Sequence, residues 1–293
     1  MLASLAAAVV LLVSFVLIEM RSPHPLLPLR VLADRSRSGT YLIMLCVSTG
    51  LFGLFFFLTL FIQTVLGYSA IRSGVAYLPF AVGVVLGSAV ASPLVSRTGP
   101  RPLIVAGAAM VAGGMFWFSR LTEHAGYASD LLGPQIVSSL GLGLVFVPLS
   151  LVSLHNVAEQ DSGVASSLLN TAQQVGGAIG LALLGTVAWT TVEDTARTQA
   201  AHAAKSGTPV SASIRDHALA VGFSRAFEIA AGIGLLALII AIATIRVRRQ
   251  ELSGPVPAPP EAAPQPGELQ PAAVQRDEDR EALAAAARPC RLC

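Results

Sequence analysis

Apolar and polar positions fall along this chain in long blocks rather than in the short periods of a water-soluble domain. Seven apolar stretches lie at roughly 2–18, 39–62, 74–95, 102–119, 131–154, 164–190 and 222–245. Most reach or approach the ~20 residues that a helix needs to cross a hydrocarbon core of ~30 Å. A backbone crossing lipid must satisfy its own N–H and C=O groups, so the pattern predicts helices rather than loops or open strands. The expected fold is an all-α membrane protein with seven transmembrane helices, the last six of them forming one compact set with short connections.

Composition sharpens that picture. The chain is 54% hydrophobic and only 12% charged, with a mean hydropathy of +0.68, too apolar for an ordinary soluble domain. Three cysteines, Cys46, Cys290 and Cys293, cannot build a disulfide framework. The terminal Cys290-Arg-Leu-Cys293 is a lone CxxC and too weak a signal for a metal or redox site. Cys46, inside a span, reads as a small packing residue.

The arginines give an orientation. Arg21, Arg30, Arg35 and Arg37 fill the gap 20–38, Arg97 and Arg101 the gap 96–101, and Arg246, Arg248 and Arg249 follow the last span. The alternate gaps 63–73 and 120–130 are poorer in them. The positive-inside rule therefore places these arginine-rich segments and the C-terminus in the cytoplasm, and the 191–221 connection becomes a long external loop. The first span then starts outside although nothing precedes it and no signal-peptide pattern is present. That conflict leads to the expectation that further helices precede this sequence in a longer protein; the alternative is a genuine seven-span chain.

Four regions follow: a first helix at 1–20, a Pro/Arg linker at 21–38, a six-helix half-bundle at 39–249, and a Pro/Ala-rich tail at 250–293 that cannot bury a core. Within the half-bundle, small residues recur at helix-contact spacing. Gly83 and Gly87 form one GxxxG, Gly176 and Gly180 another with Gly177 beside it, and Ala109 and Gly113 repeat the interval in the fourth span. Prolines at 79, 93, 134 and 148 predict kinks.

Polar residues inside spans carry the candidate chemistry. In the stretch from Gly163 to Gly185, Ser166, Asn170, Gln174 and Gly177 fall at i, i+4, i+8 and i+11, on one face, with Ser167 and Gln173 at its border. Lipid offers such a strip no partners, so it faces protein or water. It either lines a substrate path or hydrogen-bonds neighbouring helices. Glu228 in the last span is a candidate for charge coupling; the plainer alternative is a pair with Arg225 near the outer interface. Asp130 reads as a solvated cap, Gln63 and Gln135 as amides solvated at the interface (the alternative is a gate residue), and His155 and Asn156 as a helix C-terminal cap rather than a proton relay.

Two segments resemble a known family. The loop Ser92-Pro-Leu-Val-Ser-Arg-Thr-Gly-Pro-Arg101 is similar to the second-half copy of the short cytoplasmic loop signature of the major facilitator superfamily: Arg97, Gly99 and Arg101 match, while Ser96 stands where an acidic residue is common. The run from Gly163 to Gly185 resembles the penultimate helix of the 14-span drug:proton antiporter group, with Gln173 where an Arg is frequent; Tyr77-Leu-Pro79 and the Pro-Leu-Leu-Pro-Leu linker fit as well. The resemblance implies a C-terminal portion of an exporter, one extra helix followed by the C-terminal half-bundle. Such proteins exchange hydrophobic or cationic compounds for protons by rocking two halves about a midplane site. Its partners would be the bilayer, a small-molecule substrate, protons, and either a missing N-terminal half or a second copy. A seven-helix receptor or a dimerising half-transporter are the competing readings. Without a metal-ligand cluster, nucleophile–base set or phosphate loop, no enzyme activity, cofactor, metal or nucleic acid is expected.

Overall fold

The computed structural model describes residues 2–21, 34–155, 157–206 and 212–245. The tail, Arg246, Arg248, Arg249, Cys290 and Cys293, the linker residues 22–33 and Asn156 lie outside the described residues. Eight helices account for most of the rest: α1 (Leu2–Arg21), α2 (Arg35–Leu60), the short α3 (Ala70–Ala76), α4 (Leu78–Thr98), α5 (Pro100–Phe118), α6 (Leu132–Leu154), α7 (Ser162–Ser206) and α8 (Ala212–Thr244). Wider π-helical turns extend α2 over Phe61–Val65 and precede α6 over Tyr127–Leu131. Six helical segments are long and apolar enough to cross a membrane, and the 20 residues of α1 add a further apolar helix whose Leu11 and Ile18 are exposed.

Local chemistry sets several boundaries. Asp34 caps α2 by accepting from the Arg37 N–H at 2.9 Å, so the helix starts at Arg35, within the stretch assigned to the linker. Gly99 adopts φ 85°, a region open to glycine, and turns the chain directly from α4 into α5 with Pro100 at its first position. Pro79 sits in the first turn of α4 where it removes no helix bond, while Pro93 and Pro148 lie inside α4 and α6.

Within the expected loop at 191–221, residues 191–206 and 212–221 are helical. α7 runs for 45 residues and α8 for 33, about 67 Å and 50 Å at 1.5 Å per residue, well beyond a ~30 Å core. Apolar runs end where lipid ends, but Ala, Gln, Arg and Glu continue a helix in water just as well. Glu193 and Arg197 support the overshoot with an i,i+4 pair at 3.2 Å.

In the bundle α4 packs on α6, α6 on α5, α5 on α8, and α7 rests on both α2 and α8. Buried rings knit α2, α5 and α8: Phe57 meets Phe223 and Phe227, and Phe118 stacks on Phe227 with centroids 5.2 Å apart. Burial is uneven. The apolar window of the α2 span is 61% buried, whereas those of α4 and α7 are each 28% buried. These two helices form the open flanks.

Candidate functional site

The polar strip of α7 lies on one of these open flanks. Ser166, Asn170 and Gln174 are exposed and Gln173 is half-buried. Ser166 and Ser167 turn their hydroxyls back to the carbonyls of Gly163 and Val164, at 3.0 and 2.9 Å. Among the described residues Asn170, Gln173 and Gln174 make no side-chain hydrogen bond, so no interhelical bond within the bundle accounts for them. Gly177, which the spacing puts on the same face, instead meets the Phe52 ring of α2: a Cβ there would lie 2.8 Å from it.

The opposite face of α7 is a tight seam with α2. A Cβ on Gly176 would stand 2.9 Å from the Leu45 Cα and closer still to its carbonyl oxygen, and one on Gly180 would come 2.5 Å from the Thr49 carbonyl. That proximity lets Thr49 Oγ1 donate across the seam to the Gly176 carbonyl at 2.9 Å. Gly83 and Gly87 serve α4 in the same way, against Ser139 and the Leu140 carbonyl of α6. In α5 the residues in contact are Gly107 and Gly114, which meet Gly141 and Ser138 of α6. Ala109 and Gly113 are exposed, and nothing stands within 4 Å of a Cβ on Gly113. Here the GxxxG interval falls on the wrong face; the seven-residue interval repeats the face toward α6.

At one end of the bundle, arginines terminate helices. The last carbonyls of a helix have no internal partner and carry the negative end of its dipole. Arg101 donates to Ile242 O at 3.0 Å and Arg35 to Ala243 O at 3.3 Å, while the Ser36 hydroxyl reaches Thr244 O, so three side chains serve the end of α8. Arg37 is buried and donates to the carbonyl of His155, the C-cap of α6, at 3.0 Å. Arg97, the other basic residue of the loop, is exposed. Sequence reasoning assigned these arginines to membrane orientation and missed the capping role of Arg35, Arg37 and Arg101.

The opposite end holds the remaining candidates. Arg225 and Glu228 pair on α8, with side chains 60% and 52% exposed. Glu228 stands about 24 Å from the Thr244 end of its helix at 1.5 Å per residue. One residue before Arg225, Ser224 bonds Leu121 O at 2.7 Å, beyond the end of α5. The pair therefore sits toward the end of the bundle opposite the arginine caps, on a different helix from the α7 strip. Asp130 holds the turn before α6 by accepting from Gly126 N and Ser129 Oγ. Gln63 is exposed, but Gln135 is fully buried, against the expectation of interfacial solvation. Its Nε2 donates to Ala76 O at 3.0 Å, a carbonyl that also accepts from Tyr127, and its Oε1 has no hydrogen-bond partner among the described residues. Glu123 and His217 join the 119–126 connection to α8 at 3.0 Å. Hydrogen bonding, to backbone first and then to His217, holds the Glu123 carboxyl below its ordinary value.

Comparison with known proteins supplies the family. The family model of the Major Facilitator Superfamily matches residues 1–181. The puromycin resistance protein pur8 of Streptomyces alboniger is 38% identical over 249 residues, 84% of this chain and 48% of that protein. The cephamycin export protein CmcT of Amycolatopsis lactamdurans is 41% identical over 62% of this chain and 38% of its own length. The multidrug transporter protein MdtP of Bacillus subtilis is 30% identical over 62% of this chain and 34% of its own. The chain thus spans less than half the length of these relatives.

Proposed function

We propose that this chain, which belongs to the major facilitator superfamily, acts as the C-terminal half of an exporter of hydrophobic or cationic small molecules driven by protons. The observation that carries this reading is the strip Ser166, Asn170 and Gln174. Polar side chains left open on a membrane helix are costly against lipid and suit a face covered by protein or water. A complementary six-helix half set against α4 and α7 would enclose that strip in a polar cavity near the midplane, where transporters of this architecture bind substrate. Names of relatives such as pur8 and CmcT, a resistance and an export protein, favour an antibiotic-like cargo. On the same reading the arginine-capped end faces the cytoplasm of a cell membrane, the tail at 250–293 follows on that side, and Glu228 with Arg225 is the candidate for charge coupling.

The test is a resistance profile. Asn170→Ala and Gln174→Ala, made in the native host, should change which compounds are exported at unchanged membrane levels; identical profiles at normal expression overturn the reading. The complementary half is either an N-terminal segment of the same polypeptide or a second copy. An antibody to residues 250–289 separates them: a band well above 30.3 kDa indicates the former, and a crosslinked doublet of a 30.3 kDa band the latter.

A further inference from the structure

Beside the overshooting ends of α7 and α8, at the tip of α2, lies a cavity of about 380 Å³, within the usual size range of small-molecule sites. Its wall is almost wholly apolar: Trp189, Val192 and Ala196 of α7 face Leu219 and Phe223 of α8. The spacing is helical, so one face of each helix supplies the lining. Trp189 is 45% exposed, which opens the cavity sideways. The one charged residue in the lining is Arg215.

Arg215 differs from the other arginines at this end. Arg72 lies over the Tyr68 ring, Arg120 over Phe116, and Arg197 pairs with Glu193. Arg215 is exposed and has no ion-pair or hydrogen-bond partner among the described residues. Glu193 lies beside the lining face of α7 but is paired with Arg197, Asp194 falls on the opposite side of α7, Glu123 is held by His217, and Asp216 is not part of the lining. An apolar slot with a free guanidinium at its edge matches one ligand chemistry: an alkyl chain ending in an anion. Trp189 stands about 22 Å along α7 from Gln174 at 1.5 Å per residue, so this site is separate from the polar strip.

We propose that the cavity binds an anionic amphiphile, its alkyl chain between α7 and α8 and its carboxylate or phosphate on Arg215. The two sources of such a ligand are a free fatty acid and an anionic phospholipid of the surrounding leaflet. The chain has two tryptophans, so Trp117→Phe leaves Trp189 as a reporter inside the site. In phosphatidylcholine nanodiscs, undecanoic acid brominated at its terminal carbon should quench Trp189 saturably. Arg215→Gln should weaken the acid about tenfold while leaving the brominated alcohol unchanged. Ala196→Phe, with Ala200→Phe as the second variant should the first fail to fold, should abolish quenching by both. Displacement of the acid by phosphatidylglycerol in the disc identifies the lipid as the source, and saturable binding without displacement identifies the free acid; both support the site. Linear quenching that persists in the cavity-filling variants, or an equal loss of acid and alcohol in Arg215→Gln, overturns it.

Discussion

The two faces of α7 use the same turns of helix for opposite ends. Toward α2, Gly176 and Gly180 remove side chains so that backbones touch, and Thr49 stitches the seam with a hydrogen bond. Away from the bundle, Asn170 and Gln174 present amides with no partner among the described residues. In a membrane, association rests on close packing and interhelical hydrogen bonds, so the seam answers to stability. The open face, which stability does not need, is free to answer to substrate. Substitutions on the two faces should therefore separate cleanly.

The largest effect belongs to the seam. Gly176→Val places methyl groups against the Leu45 backbone, which has no side-chain freedom with which to yield, and should cost about 3 kcal/mol in reversible unfolding of the purified chain. Gly185→Ala, on the same helix with nothing within 4 Å of its Cβ, should be neutral or slightly stabilising through helix propensity. Equal losses from both would break the contrast. Next comes Thr49→Val, which keeps the shape and removes the bond to Gly176 O; about 0.6–1 kcal/mol is expected. On the open face, Asn170→Ala should leave unfolding within about 0.5 kcal/mol of the parent. A loss as large as that of Thr49→Val would mean that the strip is structural.

Much of this architecture was legible in the sequence, because hydropathy reports what faces lipid. The spans at 39–62 and 131–154 fall within helical segments of the structure, 102–119 overruns α5 by one residue, and 74–95 crosses a break at Tyr77 between α3 and α4. The same measure failed at 191–221, where α7 and α8 leave the lipid but not the helix. Residues such as Glu193, Arg197 and Gln199 register as polar and therefore as loop, although they are good helix formers. Face assignment failed where one interval fits two faces: Ala109 and Gly113 keep the GxxxG spacing, but the neighbour of α5 lies on the side of Gly107 and Gly114. Gln135 illustrates a third limit. An amide near a helix end looks solvated until its partner is known, and that partner, the Ala76 carbonyl, is 59 residues away. The arginines at 35, 37 and 101 were assigned to one side of the membrane by charge alone, since a helix's terminal carbonyls leave no mark in the sequence.

The smallest expected effect tests a region outside both faces. The seam between α2 and α7 contains no titratable partner at Gly176 or Thr49, so its strength should not depend on pH. The Glu123–His217 contact should. A carboxyl held below its ordinary 4.5 in the folded state contributes stability that is complete above that value and is lost as pH falls through the lowered one. At neutral pH, His217→Ala should lower the melting temperature by about 1 °C, a small figure because the pair is partly exposed. That deficit should vanish only as pH falls through the lowered value, beneath 4.5, while the deficit of Thr49→Val stays constant over the same range. A His217→Ala deficit that persists undiminished in acid would mean that the imidazole acts through packing rather than through Glu123. The overshooting end of α8 would then be held, like the seam, by shape alone.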